Sequence, residues 1–263
     1  MHETKSICML QTSNLSIGYR DTKNLVLLEH LDLQLTQGSL TGIIGINGSG
    51  KSTLLRTLAG VQPELGGTIS IGQRPLHTLV PAERAGLISV VFTDPPASGN
   101  LRVFDLVSLG RHPHTNWLGR LTRIDEDIIQ NCLNRMDLVA LSNAPCHTLS
   151  DGQLQRALIA RALAQDTPVM LLDEPTSHLD LYHKVNIFKA LKDIAHDSKK
   201  TLVFTTHEID LAIQLCDYLL VIHDGSAKFG TPGELIACGA FDQLFPEDTI
   251  QFNAALGRFQ VNK

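Results

Sequence analysis

The chain has 263 residues, 43% of them hydrophobic, and a formal charge of −5 at neutral pH. This composition supports one large domain or two small ones with a buried core, and the negative balance argues against broad attraction to nucleic acid or anionic lipid while leaving room for a local basic patch. No apolar run approaches the ~18 residues that span a bilayer, and the first residues lack a secretory apolar stretch, so a cytoplasmic chain is expected, with any membrane contact made through a protein partner. Cys8, Cys132, Cys146, Cys216 and Cys238 are scattered without a C-x-x-C pair. That pattern suggests reduced thiols, with neither a disulfide framework nor a zinc site.

In chain order, residues 8–11, 15–19, 26–28 and 31–35 read as short strands of an antiparallel sheet, the last alternating cleanly. Tyr19 ends the second of them beside a turn at Arg20-Asp21. Next, an apolar run over 40–44 feeds Gly45-Ile46-Asn47-Gly48-Ser49-Gly50-Lys51-Ser52-Thr53, and a helical pattern over 51–59 stops at Gly60. The spacing G-x-x-x-x-G-K-[ST] between a strand and a helix aims backbone N–H groups and a helix N-terminus at one anion, a nucleotide phosphate. Gly45, Gly48 and Gly50 let the backbone curl close, Lys51 reaches the β and γ phosphates, and Ser52 ligates Mg²⁺. In that setting Tyr19 either offers a flat face to adenine or simply packs. Strands over 68–72 and 87–92 close this first segment.

The character changes between Thr93 and Asp151. Pro95-Pro96 and Ser98-Gly99-Asn100 make a loop, a short helix over 103–109 ends at Gly110, and Asp125 opens a helix with Ile128, Ile129, Cys132, Leu133 and Met136 at helical spacing. This reads as a helical insertion in an α/β protein. The intervening stretch, 110–119, holds the only tryptophan, Trp117, either a partner-binding side chain or one packed on its own subdomain. Leu149-Ser150-Asp151-Gly152-Gln153 precedes a helix over 154–165, and in isolation Ser150 reads as an N-cap. A strand over 169–172 then ends in Asp173-Glu174, two carboxylates at the carboxyl end of a buried strand, where open α/β sheets bind ligands. Burying Asp173 without a cation costs several kcal/mol, which makes Mg²⁺ the natural counter-ion. A loop over 175–180, a helix over 182–195, a strand over 201–205 ending at Thr206-His207 and a helix over 208–215 follow. Strands over 218–222 and 227–229 flank the hairpin signal Asp224-Gly225. A short helix is expected over 234–237, and the tail beyond it has no readable pattern.

Taken together, residues 9–240 resemble the ATP-binding subunits of ABC transporters. The likeness rests on ordered motifs: the phosphate loop at 45–53, residues 149–153 like the signature L-S-G-G-Q, apolar residues followed by Asp173-Glu174, residues 177–180 like the D-loop, and His207 like the switch histidine. The resemblance implies an α/β fold: a P-loop NTPase (RecA-like) core with an antiparallel β subdomain and an inserted α-helical subdomain. All 263 residues would form one ABC ATPase domain, with 1–92 and 158–240 as core and β subdomain, 93–157 as insertion carrying the signature, and 241–263 as a tail. Two copies would sandwich ATP and Mg²⁺ head to tail. Tyr19, Asn47, Gly48, Ser49, Gly50, Lys51, Ser52 and Thr53 of one copy would face Ser150, Gly152 and Gln153 of the other, with Asp180 beside them. Ser52, Asp173 and Thr93 would hold the metal, Glu174 would polarise the attacking water, and Lys51 and His207 would act on the γ-phosphate.

The family's partners would be transmembrane permease subunits at the cytoplasmic face of the inner membrane, where the subunit sits peripherally, and indirectly an extracytoplasmic substrate-binding protein, with no nucleic acid. Gly110-Arg111-His112-Pro113 and residues 164–168 look most similar to importers of iron-siderophores, haem and cobalamin. Three residues depart from the family pattern: Ile46 replaces Pro, Asp151 replaces the third signature residue, Gly, and Thr93 replaces a Gln that reaches Mg²⁺ and water. Two alternatives stay open, a soluble ABC ATPase in metal-cluster assembly or a similar cytosolic task, and a weakly hydrolysing nucleotide-dependent assembly module.

Overall fold

Alternating leucines build the first sheet of the computed structural model, which describes residues 8–20, 25–92, 101–245 and 250–261. The four short strands expected before residue 36 are two 12-residue strands, β1 (Cys8–Tyr19) and β2 (Leu25–Thr36), paired antiparallel. What reads as a break in the alternation is a bulge. Asn14 and His30 take φ of 51° and 54°, their side chains bond each other at 2.6 Å, and the Asn14 N–H donates to Asp32 Oδ1 at 2.7 Å. Polar residues that tolerate positive φ kink a strand without ending it.

The chain continues through β3 (Leu40–Gly45), α1 (Lys51–Leu58), β4 (Gly66–Ile71), β5 (Arg74–Pro75), α2 (Pro81–Ala85) and β6 (Ile88–Val91). Then come α3 (Val103–Ser108), a 3-10 turn (Leu109–His114), α4 (Arg123–Arg135), α5 (Asp151–Ala164), β7 (Val169–Leu172), α6 (Leu181–Ser198), β8 (Thr201–Thr205) and α7 (Ile209–Leu215). The last elements are β9 (Tyr218–His223), β10 (Ser226–Gly230), α8 (Pro232–Ala237), β11 (Ile250–Asn253) and β12 (Arg258–Val261). One sheet has the order β2-β1-β4-β5 and the larger one β10-β9-β3-β8-β7-β6. The five strands from β9 to β6 are parallel, and β10 is an antiparallel edge.

Successive residues of the parallel strands enter different cores, as a period of two requires. Ile43, Val169, Leu171, Val203 and Leu220 pack with Leu54, Leu55 and Leu58 of α1 and the leucines of the small sheet. Ile44, Met170, Leu172, Leu202, Phe204 and Leu219 pack with the helices on the other side. No helix of the described residues is long and apolar enough to cross a membrane.

The helical layer is pinned by a buried ion pair. Arg111 Nε donates to Asp125 Oδ1 at 2.9 Å, and its Nη1 donates to the Ala164 carbonyl at 2.8 Å. Gly110 allows this approach, because a Cβ there would lie 2.1 Å from the Arg161 carbonyl oxygen. Asp125 also accepts from the Thr122 N–H and hydroxyl. It is therefore the third residue of α4, closing a capping box, and the helix starts earlier than its acid signal suggests. Likewise α5 begins at Asp151, three residues ahead of the expected 154, because Ser150 caps it and Gln153 returns a bond to the Ser150 N–H. It then runs unbroken through residue 158. α6 is longer at both ends than expected, starting after its cap Asp180 and ending at Lys199 with φ 50°. The tail that offered no pattern forms a hairpin whose Phe252 stacks on Phe241 at 4.8 Å and meets Phe259 at 5.0 Å.

Hydrogen bonds from Thr122, then the Arg111 guanidinium, hold the Asp125 carboxyl down at about 2, below its ordinary 3.8. A carboxyl depressed in the fold contributes stability that is complete above about pH 4 and lost as pH falls towards 2. Asp125→Ala is expected to cost about 3 kcal/mol by stranding Arg111. In urea unfolding, the difference from the parent should shrink as the pH is lowered through that window.

Candidate functional site

The parallel order β9-β3-β8-β7 brings the carboxyl ends of four strands to one edge, where the chain leaves β3 through the loop into α1. Gly48 and Gly50 take φ of 81° and 96°, which a side chain would resist. Thr122, Ser150, Asp180 and Thr231 cap α4, α5, α6 and α8 with side-chain oxygens, but α1 has Gly50 at its N-cap, no side-chain cap and no acid in its first turn. Among the described residues, no side chain of its own first turn or cap answers the N–H groups and positive dipole end, which favour an anion. The Ser49 hydroxyl is buried with no hydrogen-bond partner among the described residues. Lys51 is only 5% exposed and folds back to donate to the Gly45 and Ile46 carbonyls at 2.9 and 3.0 Å. Burial lowers its pKa, and the nearby Glu174 and Asp173 carboxylates oppose that shift.

A cavity of about 430 Å³ opens over this loop, lined by Tyr19, Asn47, Gly48, Gly50, Lys51, Ser52, Thr53, Glu174 and His207, together with Leu25 and Leu27. Tyr19 is 44% exposed and its hydroxyl is 3.0 Å from Thr53 Oγ1. The sequence reading missed the two leucines. They sit on β2, outside the motif, and only the pairing of β2 with β1 places them next to Tyr19.

Behind the loop, Ser52 Oγ and Thr205 Oγ1 both donate to Asp173 Oδ1, at 2.8 and 2.7 Å. Thr205 Oγ1 also accepts from the Glu174 N–H at 2.8 Å. Glu174 is a non-glycine residue at φ 47°, a conformation held at functional sites by surrounding bonds. Its carboxylate contacts His207 Nε2 and accepts from Ser177 Oγ at 3.0 Å. Thr205 is a third residue the sequence reading missed. A threonine ending a strand two residues before His207 was visible, but its partners are 31 and 32 residues away.

Ser150, Gly152, Gln153 and Asp180 do not line this cavity. Ser150 and Gln153 bond each other, and Gly152 faces Leu179 and His183, to which a Cβ would stand 3.5 Å. Asp180 accepts from the His183 backbone N–H at 2.9 Å. That bond, then the His183 side chain, holds its carboxyl below the usual range. Asp151 lines a separate cavity of about 230 Å³ with Asp173, Glu174, Ser177 and His178. Thr93, like Pro95, Pro96 and residues 98–100, lies outside the described residues.

Residues 28–177 match the ABC transporter family model. The chain belongs to that family. It is 35% identical to a probable siderophore transport system ATP-binding protein of Bacillus subtilis, over 90% of this chain and 85% of that one. It is 34% identical to the iron(3+)-hydroxamate import ATP-binding protein of the same organism, over 91% and 88%. A bacterial ABC transporter cassette solved as a dimer superposes with a TM-score of 0.75 at 26% identity, covering 85% of this chain and 99% of the other. The ABC protein of this sequence is thus a nucleotide-binding ATPase, and the cavity over the α1 N-terminus is its candidate site.

Thr205→Val keeps the shape of the side chain but removes its bonds to Asp173 and Glu174. The variant should fold with a loss of about 1–3 kcal/mol and hydrolyse ATP at least tenfold more slowly. Melting temperature and phosphate release report the two effects separately.

Proposed function

We propose that the protein is the ATP-hydrolysing subunit of an importer for iron-siderophore, haem or cobalamin-type compounds, working as a homodimer on a transmembrane permease at the cytoplasmic face of the membrane. The observation that carries the reading is the division of the predicted site. The phosphate loop, Ser52, Glu174 and His207 share one cavity, whereas Ser150, Gly152 and Gln153 lie at the start of α5, away from it. A second copy placed head to tail supplies the missing wall. In that arrangement Ser150 and the first amides of α5 complete the phosphate cradle, and Asp180 stands beside them. The siderophore and hydroxamate names of the relatives support the substrate class. In this reading, residues 93–157 form the part that docks on the permease, a substrate-binding protein delivers the cargo outside, and residues 241–263 are a tail on the core.

The residues present fit Mg²⁺. A serine hydroxyl and a carboxylate sharing a 2.8 Å bond are hard oxygen donors, and the cation would relieve the cost of the buried Asp173 charge. Ser52 and Asp173 would hold it, and it would supply positive charge to the phosphoryl oxygens. Thr93 is offered as a further metal-site residue on motif position alone. Asn47, Gly48, Ser49, Gly50 and Thr53 would bind the phosphates through backbone N–H groups and hydroxyls, with Tyr19, Leu25 and Leu27 against the base. Lys51 would exchange its two loop carbonyls for phosphate oxygens. Glu174 would take the proton of the attacking water as its oxygen bonds to the γ-phosphorus and the bond to ADP breaks. His207, already on Glu174, would hold that carboxylate and reach the transferred group.

Glu174→Gln should bind ATP, slow turnover by about 10²- to 10⁴-fold and accumulate as a dimer in size-exclusion chromatography with ATP. Hydrolysis at the parent's rate would refute the general-base role. Lys51→Ala should weaken ATP binding at least tenfold by titration calorimetry. Purification from native membranes without any permease would favour a soluble ATPase instead.

A further inference from the structure

The segment after Arg111 holds its tryptophan out into solvent. Its base is fixed: Arg111 is locked to Asp125 and Ala164, His114 Nε2 bonds the Gln165 carbonyl at 2.8 Å, and Gln165 Nε2 donates to the Ala85 and Ile88 carbonyls. Its tip closes on itself. Asn116 Oδ1 accepts from the N–H groups of Leu118 and Arg120 at 3.0 and 3.3 Å, and the Gly119 N–H donates to the Asn116 carbonyl at 2.9 Å. At the apex, Trp117 is 91% exposed, with Leu118 next to it and Ile124 at the start of α4 at 51% and 71%. The indole is therefore not packed on its own subdomain, one of the two readings its sequence allowed. A rigid turn that leaves the chain's only tryptophan in water does nothing for the fold.

Charge accompanies it. Residues 106–124 contain no acid, but include Arg111, His112, His114, Arg120 and Arg123. Arg111 is spent in its buried pair, whereas among the described residues the side chains of Arg120 and Arg123 have no ion pair or hydrogen bond. Glu126 and Asp127 follow on α4, so the charge of Arg123 is partly offset one turn on, and Arg120 is the cation farther from an acid along the chain.

We infer that this turn is an interfacial anchor that seats on anionic lipid headgroups. Trp117 takes the headgroup level, Leu118 enters the acyl boundary, and Arg120 and Arg123 meet lipid phosphates. A protruding tip suits a deformable layer. The charge points the same way, because the cytoplasmic loops of membrane proteins are rich in Lys and Arg and would repel these arginines. The net charge of −5 keeps the rest of the surface off the membrane, so the contact also orients the chain. The inference needs neither permease nor nucleotide, and it leaves the permease to other parts of residues 93–157, so either reading can fail without the other.

Trp117 fluorescence reports this tip alone. The full chain is titrated at low salt with phosphatidylcholine vesicles containing about one-third phosphatidylglycerol. The expected result is a blue shift, quenching by brominated acyl chains, and reversal at about 0.5 M salt. Arg120→Gln and Arg123→Gln should each weaken partitioning about fivefold, and Trp117→Ala should abolish co-sedimentation while retaining ATP hydrolysis and the circular dichroism of the parent. Absence of shift and co-sedimentation overturns the inference, as does equal partitioning onto pure phosphatidylcholine. A shift seen only with detergent-solubilised permease also overturns it, assigning the turn to a protein contact.

Discussion

The carboxylate of Asp173 joins three parts of the chain at one oxygen. It is 2% exposed at the end of β7 and receives hydroxyls from Ser52 at the start of α1 and Thr205 at the end of β8. A buried carboxylate is tolerated only when donors or a cation answer it, so these hydroxyls fix how the phosphate loop sits against the central strands. The order β3-β8-β7 makes the contact possible, because it sets the carboxyl ends of these strands side by side. Thr205 then passes the constraint on, accepting from the backbone of Glu174. The orientation of Glu174, and through it His207, is thus tied to the Asp173 carboxylate, the group proposed to meet the metal.

The second constraint is the uncapped end of α1. Four other helices close their N-termini with their own side chains, whereas α1 has a glycine at its N-cap, and Lys51 is held nearby on carbonyl oxygens. Two neutral carbonyls satisfy an ammonium less well than an anion does, and burial already lowers the pKa of Lys51. A phosphate entering as proposed would therefore meet a helix end with no side-chain cap and a cation whose present partners are easily exchanged.

Sequence pattern revealed what is local. The nine-residue loop, the buried strands and the hairpin at Asp224-Gly225 all follow from spacing within a few residues, and each lies where its pattern put it. Interactions across the chain stayed hidden. The Arg111–Asp125 pair, Leu27 beside Tyr19 and the Thr205 clamp depend on packing that no short window contains. Two helices start earlier than the pattern puts them for a related reason: Asp125 reads as the opening residue of one and Gln153 as preceding the other, whereas their side chains return to the residues before the helix and belong to its first turn. The hairpin tail escaped because its phenylalanines, 241, 245, 252 and 259, are spaced by the distance between elements and not by a strand or helix period.

Ser150 shows how the proposed shared site can form without dismantling what is present. Its hydroxyl accepts from the Gln153 N–H at 3.3 Å, and a hydroxyl that accepts still has a proton to donate. It can cap α5 and bind a phosphate of the opposite copy at once. Asp151 works in the other direction. In the first turn its carboxylate favours the helix by about 0.3–1 kcal/mol through the dipole, but the same charge opposes an arriving phosphate. A glycine there would forgo the first effect and remove the second. In the proposed dimer Asp151 would thus exchange some affinity between nucleotide-loaded copies for a steadier α5, and the balance between open and closed dimers would lie further towards open than the phosphate loop alone would set it.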